Sequence, residues 1–169
     1  MRILLLTLIV YLAAVIETSL VDLMRIGPVA PDLLALVAVI WLLVSDRPRV
    51  LLAAGAIALM GDLIAPGRVG LGMAWMLLVG YVVVRLRARF KVEHLFWQLL
   101  ITWLAVTLWA FGLGLTGRVL GDVALPVGTI LARAAGVGLY TAGVSLPVLM
   151  ILGWVRQPHL ARQKRLTEF

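Results

Sequence analysis

The chain has 169 residues, 63% of them hydrophobic and only 14% charged, with a formal net charge of +7. Water-soluble domains run nearer half apolar and a quarter charged, so this composition excludes one and makes the bilayer the expected solvent. The basic residues sit in short runs between apolar stretches, as membrane-flanking loops do, and call for no nucleic acid; the absence of cysteine removes disulfides, thiolate metal sites and a Cys nucleophile.

The first apolar segment, residues 3–23, follows Met1-Arg2 like the start of a signal peptide. It runs on past Tyr11 without a small-x-small cleavage site before Glu17 and Asp22, which predicts an uncleaved first span. Further apolar segments cover residues 30–45, 50–64, 71–84, 95–115 and 127–155. Between them lie turn and charge signals: Arg25 to Pro28, Asp46-Arg47-Pro48-Arg49, Pro66-Gly67-Arg68, Arg85 to Glu93, and Gly117 to Pro126. At roughly 20 residues per span the pattern predicts an all-α integral membrane protein, one compact bundle of about six transmembrane helices. A basic tail follows at 156–169. Segments 50–64 and 71–84 are short for the bilayer and read either as two short spans or as a re-entrant hairpin around Pro66-Gly67. Pro147 predicts a kink in the last span.

Basic residues set the orientation. Arg2, Arg47, Arg49, Arg85, Arg87, Arg89, Lys91 and the tail fall on one side, against Arg25, Arg68 and Arg118 on the other, which predicts both termini in the cytoplasm. Tyr81, Trp97 and Trp154 then fall near the inner interface and Trp75 near the outer one.

No constellation supports catalysis. Leu59-Met60-Gly61-Asp62 lacks the first glycine of the G-x-G-D motif of intramembrane aspartyl proteases, and no second mid-span aspartate completes a dyad. His94 and His159 have no companion ligands, which predicts no metal and no cofactor. Ser19, Ser45 and Ser145 lack a base and are expected to bond back to their own helices. The run Arg85 to Lys91 reads first as a topology signal and second as a contact for anionic lipid or a cytoplasmic partner.

Two features carry more weight. Small residues recur at spacing four in Gly128, Ala132 and Gly136, and again in Ala134, Gly138 and Ala142, while Gly55 and Ala58 mark the third span; such rows allow close helix packing. Three ionisable residues, Glu17, Asp62 and Arg133, fall inside apolar segments. Charges there are costly and face a bundle interior, a cavity or each other. Counting 1.5 Å per residue puts all three in one outer layer, so Arg133 is expected to pair with Asp62, Glu17 or both.

The stretch from Pro31 to Phe90 resembles the MreD family, the small membrane subunit of the bacterial rod-shape machinery. Pro31-Asp32 stands at the head of the second span and Trp41 further along it, followed by the polar Asp46 to Arg49 loop. Gly61 precedes Asp62-Leu63-Ile64, Val69-Gly70 follows a short turn, and Tyr81 and the basic run close the next span. Ala65 stands where the family usually has serine. The resemblance implies a non-enzymatic scaffold in the bacterial cytoplasmic membrane, a partner of MreC that helps couple MreB filaments to the peptidoglycan synthases. The family also looks like the substrate-binding subunits of energy-coupling-factor vitamin transporters, which implies a rival role as a small-solute binder.

Overall fold

The computed structural model describes the backbone of residues 2–25, 29–45, 49–64, 68–89 and 94–166, and the side chains of 7–19, 25, 29–45, 49–64, 68–89 and 94–151. The turns expected at Gly27-Pro28, Asp46 to Pro48 and Pro66-Gly67, together with Ala65, Lys91 and the side chains of Trp154, His159 and the rest of the tail, lie outside these residues.

The described residues form six helices in order: α1 Arg2–Met24, α2 Leu33–Val44, α3 Val50–Ile64, α4 Leu71–Arg89, α5 Leu95–Val119 and α6 Val127–Leu166. The described residues include no strand longer than an isolated bridge. Helix α3 has the expected bounds. Helix α4 runs past Val84 to Arg89, because arginine is a good helix former whose long stem stays apolar while its head reaches polar surroundings. Helix α6 passes without interruption through Pro147 and into the basic tail.

Among the described residues three helices are long and apolar enough to cross a membrane: α4, α5 and residues 127–151 of α6. The shortest helix is α2, with 12 residues, whereas the sequence points to 50–64 and 71–84 as the short segments. At 1.5 Å per residue α2 is ~18 Å long, well under a ~30 Å hydrocarbon core.

Short as it is, α2 is the hub. Among the described residues it packs against all five other helices, while α1 touches only α2 and α3. Leu34, Ala35, Leu36, Ala38, Val39, Leu42 and Leu43 are all buried. Helices α3 and α4 form one antiparallel hairpin, α5 and α6 another, and α2 lies between them. The outside of the bundle is apolar: Tyr11 is 61% exposed, Leu139 68% and Met150 61%. A contiguous surface of that kind suits lipid or a partner helix better than water.

Small residues set the helix spacing, and the two rows on α6 divide the work. Ala134, Gly138 and Ala142 face inward, and a Cβ on Gly138 would overlap the Thr107 hydroxyl and lie 2.9 Å from the Trp103 carbonyl oxygen. The backbones of α5 and α6 meet there. Gly128 and Ala132 lie on an open face instead, with nothing near a Cβ at Gly128, and Gly136 meets only Val29. In α3, Ala58 is buried and a Cβ on Gly55 would come within 2.9 Å of Leu77.

Candidate functional site

A helix leaves its first N–H groups and last C=O groups without partners. In water the solvent satisfies them; inside hydrocarbon each open group costs several kcal/mol, so the protein must provide the partner. A short central helix leaves both of its ends against neighbouring helices, and Glu17, Asp32, Asp62 and Arg87 gather at helix ends.

The N-terminus of α2 draws on two carboxylates. Asp32 is its N-cap, and its Oδ1 accepts from the Ala35 N–H at 2.6 Å. Glu17, projecting from α1, accepts from the Leu34 N–H at 3.0 Å. The Asp32 N–H itself donates to the Thr141 hydroxyl at 3.1 Å. Thr141 is fully buried and lies ~21 Å along α6 from that helix's first residue at 1.5 Å per residue. The start of α2 is therefore sunk well below the end of the α5–α6 hairpin.

Helix α4 begins in a related way. Its N-cap position is Gly70, which has φ +96° and no side chain to cap with. Asp62, near the end of α3, does so from across the turn: Oδ2 accepts from Gly70 at 2.9 Å and Met73 at 3.2 Å, and Oδ1 from Gly72 at 3.1 Å. A carboxylate at a helix N-terminus also meets the favourable end of the dipole. Gly72 has to be glycine, since a Cβ there would overlap the Asp62 carboxylate. Around this arrangement the Trp109 indole N–H donates to the Gly72 carbonyl at 3.1 Å and the Trp75 indole N–H to the Thr116 hydroxyl at 2.9 Å. Gly112 makes room for the Trp75 ring. Above them Arg68 and Asp122, both about half exposed, form an ion pair at 3.3 Å between the turns of the two hairpins.

Glu17, Asp32 and Asp62 line one cavity of about 100 Å³, closed by Gly61, Met76, Trp109 and Leu113. Small-molecule sites usually enclose ~300–1,000 Å³, so this space takes a few waters. Among the described residues no three His, Asp or Glu side chains are grouped to hold a metal ion.

The other end of α2 is closed by arginine. Arg87 of α4 donates from one terminal nitrogen to the Leu42 carbonyl at 3.0 Å and the Ser45 carbonyl at 2.8 Å. The hub thus has carboxylates on its N-terminus, one its own cap and one lent by α1, and a guanidinium lent by α4 on its C-terminus.

Arg133 does not join the carboxylates. It is exposed on α6, and no ion pair links it to Asp62 or Glu17, whose carboxylates accept from backbone N–H groups instead. The depth count put the three residues in one layer; it said nothing about which way each faces around its helix. Pro31 is buried beside Asp32, Trp41 packs partly buried against the core, and Gly61 sits 3.5 Å, at its virtual Cβ, from Leu34. Tyr81 lies apart, exposed at the arginine end. Ser145 donates to the Ala142 carbonyl at 2.6 Å, as expected of a serine in an apolar helix, and His94 is an exposed N-cap of α5 with no side-chain cap bond. The capping role of Arg87 is not evident from hydropathy. Its signal is its spacing, since two residues from Arg85 and from Arg89 is the opposite face of a helix. No protein-family model matches the chain, and no curated protein or solved structure matches it either.

Proposed function

We propose that the chain is a non-catalytic scaffold of the bacterial cell-elongation machinery, an MreD-like subunit of the cytoplasmic membrane. In this reading all six helices sit in the bilayer, with both termini in the cytoplasm. Its direct partner is MreC, and through MreC it helps couple MreB filaments to the peptidoglycan synthases. The observation that carries this reading over the vitamin-transporter alternative is the use made of the buried carboxylates. Glu17, Asp32 and Asp62 are occupied by backbone N–H groups, and the space among them is about 100 Å³. A bundle that binds a vitamin needs a larger space and free polar groups converging on it. The residues of the MreD-like pattern, Pro31-Asp32, Gly61-Asp62 and Gly70, meet around these caps, which gives the pattern a structural reason.

Partner helices have open faces to use. Leu8, Tyr11 and Leu12 on α1 and the strip of Gly128, Ala132 and Leu139 on α6 are exposed, and small residues let a second helix approach closely. The test is affinity purification of the intact chain from a mild detergent, with identification of what co-elutes. A single-span protein with a large outer domain is the expected partner. Co-elution of an ATPase module, with retained binding of a vitamin, overturns the scaffold reading.

A further inference from the structure

The basic run at the end of α4 divides into two faces. Arg87 turns inward to the end of α2, whereas Arg85 and Arg89 are exposed on the opposite side, one turn apart. Tyr81, a turn before Arg85, is 52% exposed. The Arg85 Nε–H donates to the Tyr81 hydroxyl at 3.1 Å, and the guanidinium carbon lies 5.2 Å from the centre of the Tyr81 ring. This contact engages the Nε of the guanidinium, and its two terminal nitrogens make no hydrogen bond among the described residues. Arg89 has no carboxylate partner among the described residues.

Alongside this row runs an apolar one. Leu78, Val82 and Leu86 are exposed on the adjoining strip of α4, and Tyr81, Val82, Arg85, Leu86 and Arg89 line a shallow groove of about 320 Å³. The face changes character along the helix, apolar at Leu78 and Val82 and cationic at Arg85 and Arg89. Guanidinium groups recognise phosphate through paired, charge-assisted hydrogen bonds. A soluble phosphate or an acidic peptide matches the cationic half only.

We propose that this face of α4 is a binding site for an anionic phospholipid, with the phosphate held between Arg85 and Arg89 and an acyl chain laid along Val82 and Leu78. A zwitterionic lipid brings its own ammonium to the phosphate and competes with the arginines; an anionic headgroup does not. The site depends on the bundle lying in a membrane and is independent of the scaffold role, so a negative result here leaves the co-elution experiment untouched.

The test is native mass spectrometry of the intact chain in a neutral detergent, titrated with phosphatidylglycerol and with phosphatidylcholine of the same acyl chains. Retention of phosphatidylglycerol is expected at about thirtyfold lower concentration, the effect of two arginines near an anionic headgroup. The preference should collapse in Arg85→Gln/Arg89→Gln, weaken in Tyr81→Phe and persist in Arg87→Gln, with thermal unfolding confirming that each variant is folded. Equal preference in the parent and in the double variant overturns the proposal. Displacement of the lipid by millimolar inorganic phosphate, or by an acidic peptide, also overturns it, because the site would then read the anion without the chain.

Discussion

The two ends of the α2 hub solve one problem with opposite chemistry. At the N-terminus three N–H donors and a sunken loop meet Asp32, Glu17 and Thr141, drawn from the helix's own cap and from two other helices. At the C-terminus two carbonyls meet a single guanidinium from α4. The carboxylate end is a closed structure around a small cavity, with every acid engaged; the arginine end opens to the surface and keeps two of its three arginines facing outward. The difference shows how one residue class serves two purposes. Arg87 meets a backbone end that needs a partner, while Arg85 and Arg89, half a turn away on the other face, are available to something outside the chain.

The largest effect is expected beside the carboxylate end, at the α4 cap whose Asp62 lines the same cavity as Glu17 and Asp32. Asp62→Leu removes the acceptor for three N–H groups at the start of α4 and should destabilise the bundle by about 3 kcal/mol or more, read from unfolding in detergent micelles. Stability equal to the parent would break the comparison, since it would mean that water already satisfies that helix end. Arg87→Gln comes next. Glutamine reaches less far and brings no charge, so about 1.5–3 kcal/mol should be lost by the same measurement, the range for hydrogen bonds to charged groups. A loss larger than that of Asp62→Leu would reverse the ranking of the two ends. The smallest effect belongs to Arg133→Leu, which serves neither end. It should leave the unfolding midpoint unchanged, and its combination with Asp62→Leu should be additive. Non-additivity would restore the ion pair that the geometry excludes.

Hydropathy located the six helical segments because apolar length survives any detail of packing, and α3 has the expected bounds at both ends. It overestimated α2, whose expected segment began at Ala30. Ala30 and Pro31 are apolar in type but form the connection that dives to Thr141, and proline before Asp32 keeps that stretch extended. It underestimated α4, since charge was taken as the end of a span although arginine continues a helix readily. Glu17, Asp62 and Arg133 stood out correctly as charges in apolar surroundings, but their partners did not follow. A charge count sees other charges, and the partners of Glu17 and Asp62 are backbone N–H groups that every residue type carries. For Arg133 the missing quantity was its direction around α6. The small-residue rows were legible as packing surfaces, yet only the Gly138 row is used by α5.

The bond between Asp32 and Thr141 has a consequence for how the chain is made. The ribosome delivers α2 after α1, and at that moment its own Asp32 and the Glu17 of α1 are present to meet its N-terminus, while Arg87 and Thr141 are still to come. Arg87 arrives two helices later, and Thr141 only with α6. A 12-residue segment with open ends is a poor substrate for independent insertion. In the proposed bilayer setting helix α2 therefore has to be sheltered, by the translocation machinery or by α1, until α4 and α6 are made. The second helix to be made is the last to be completed.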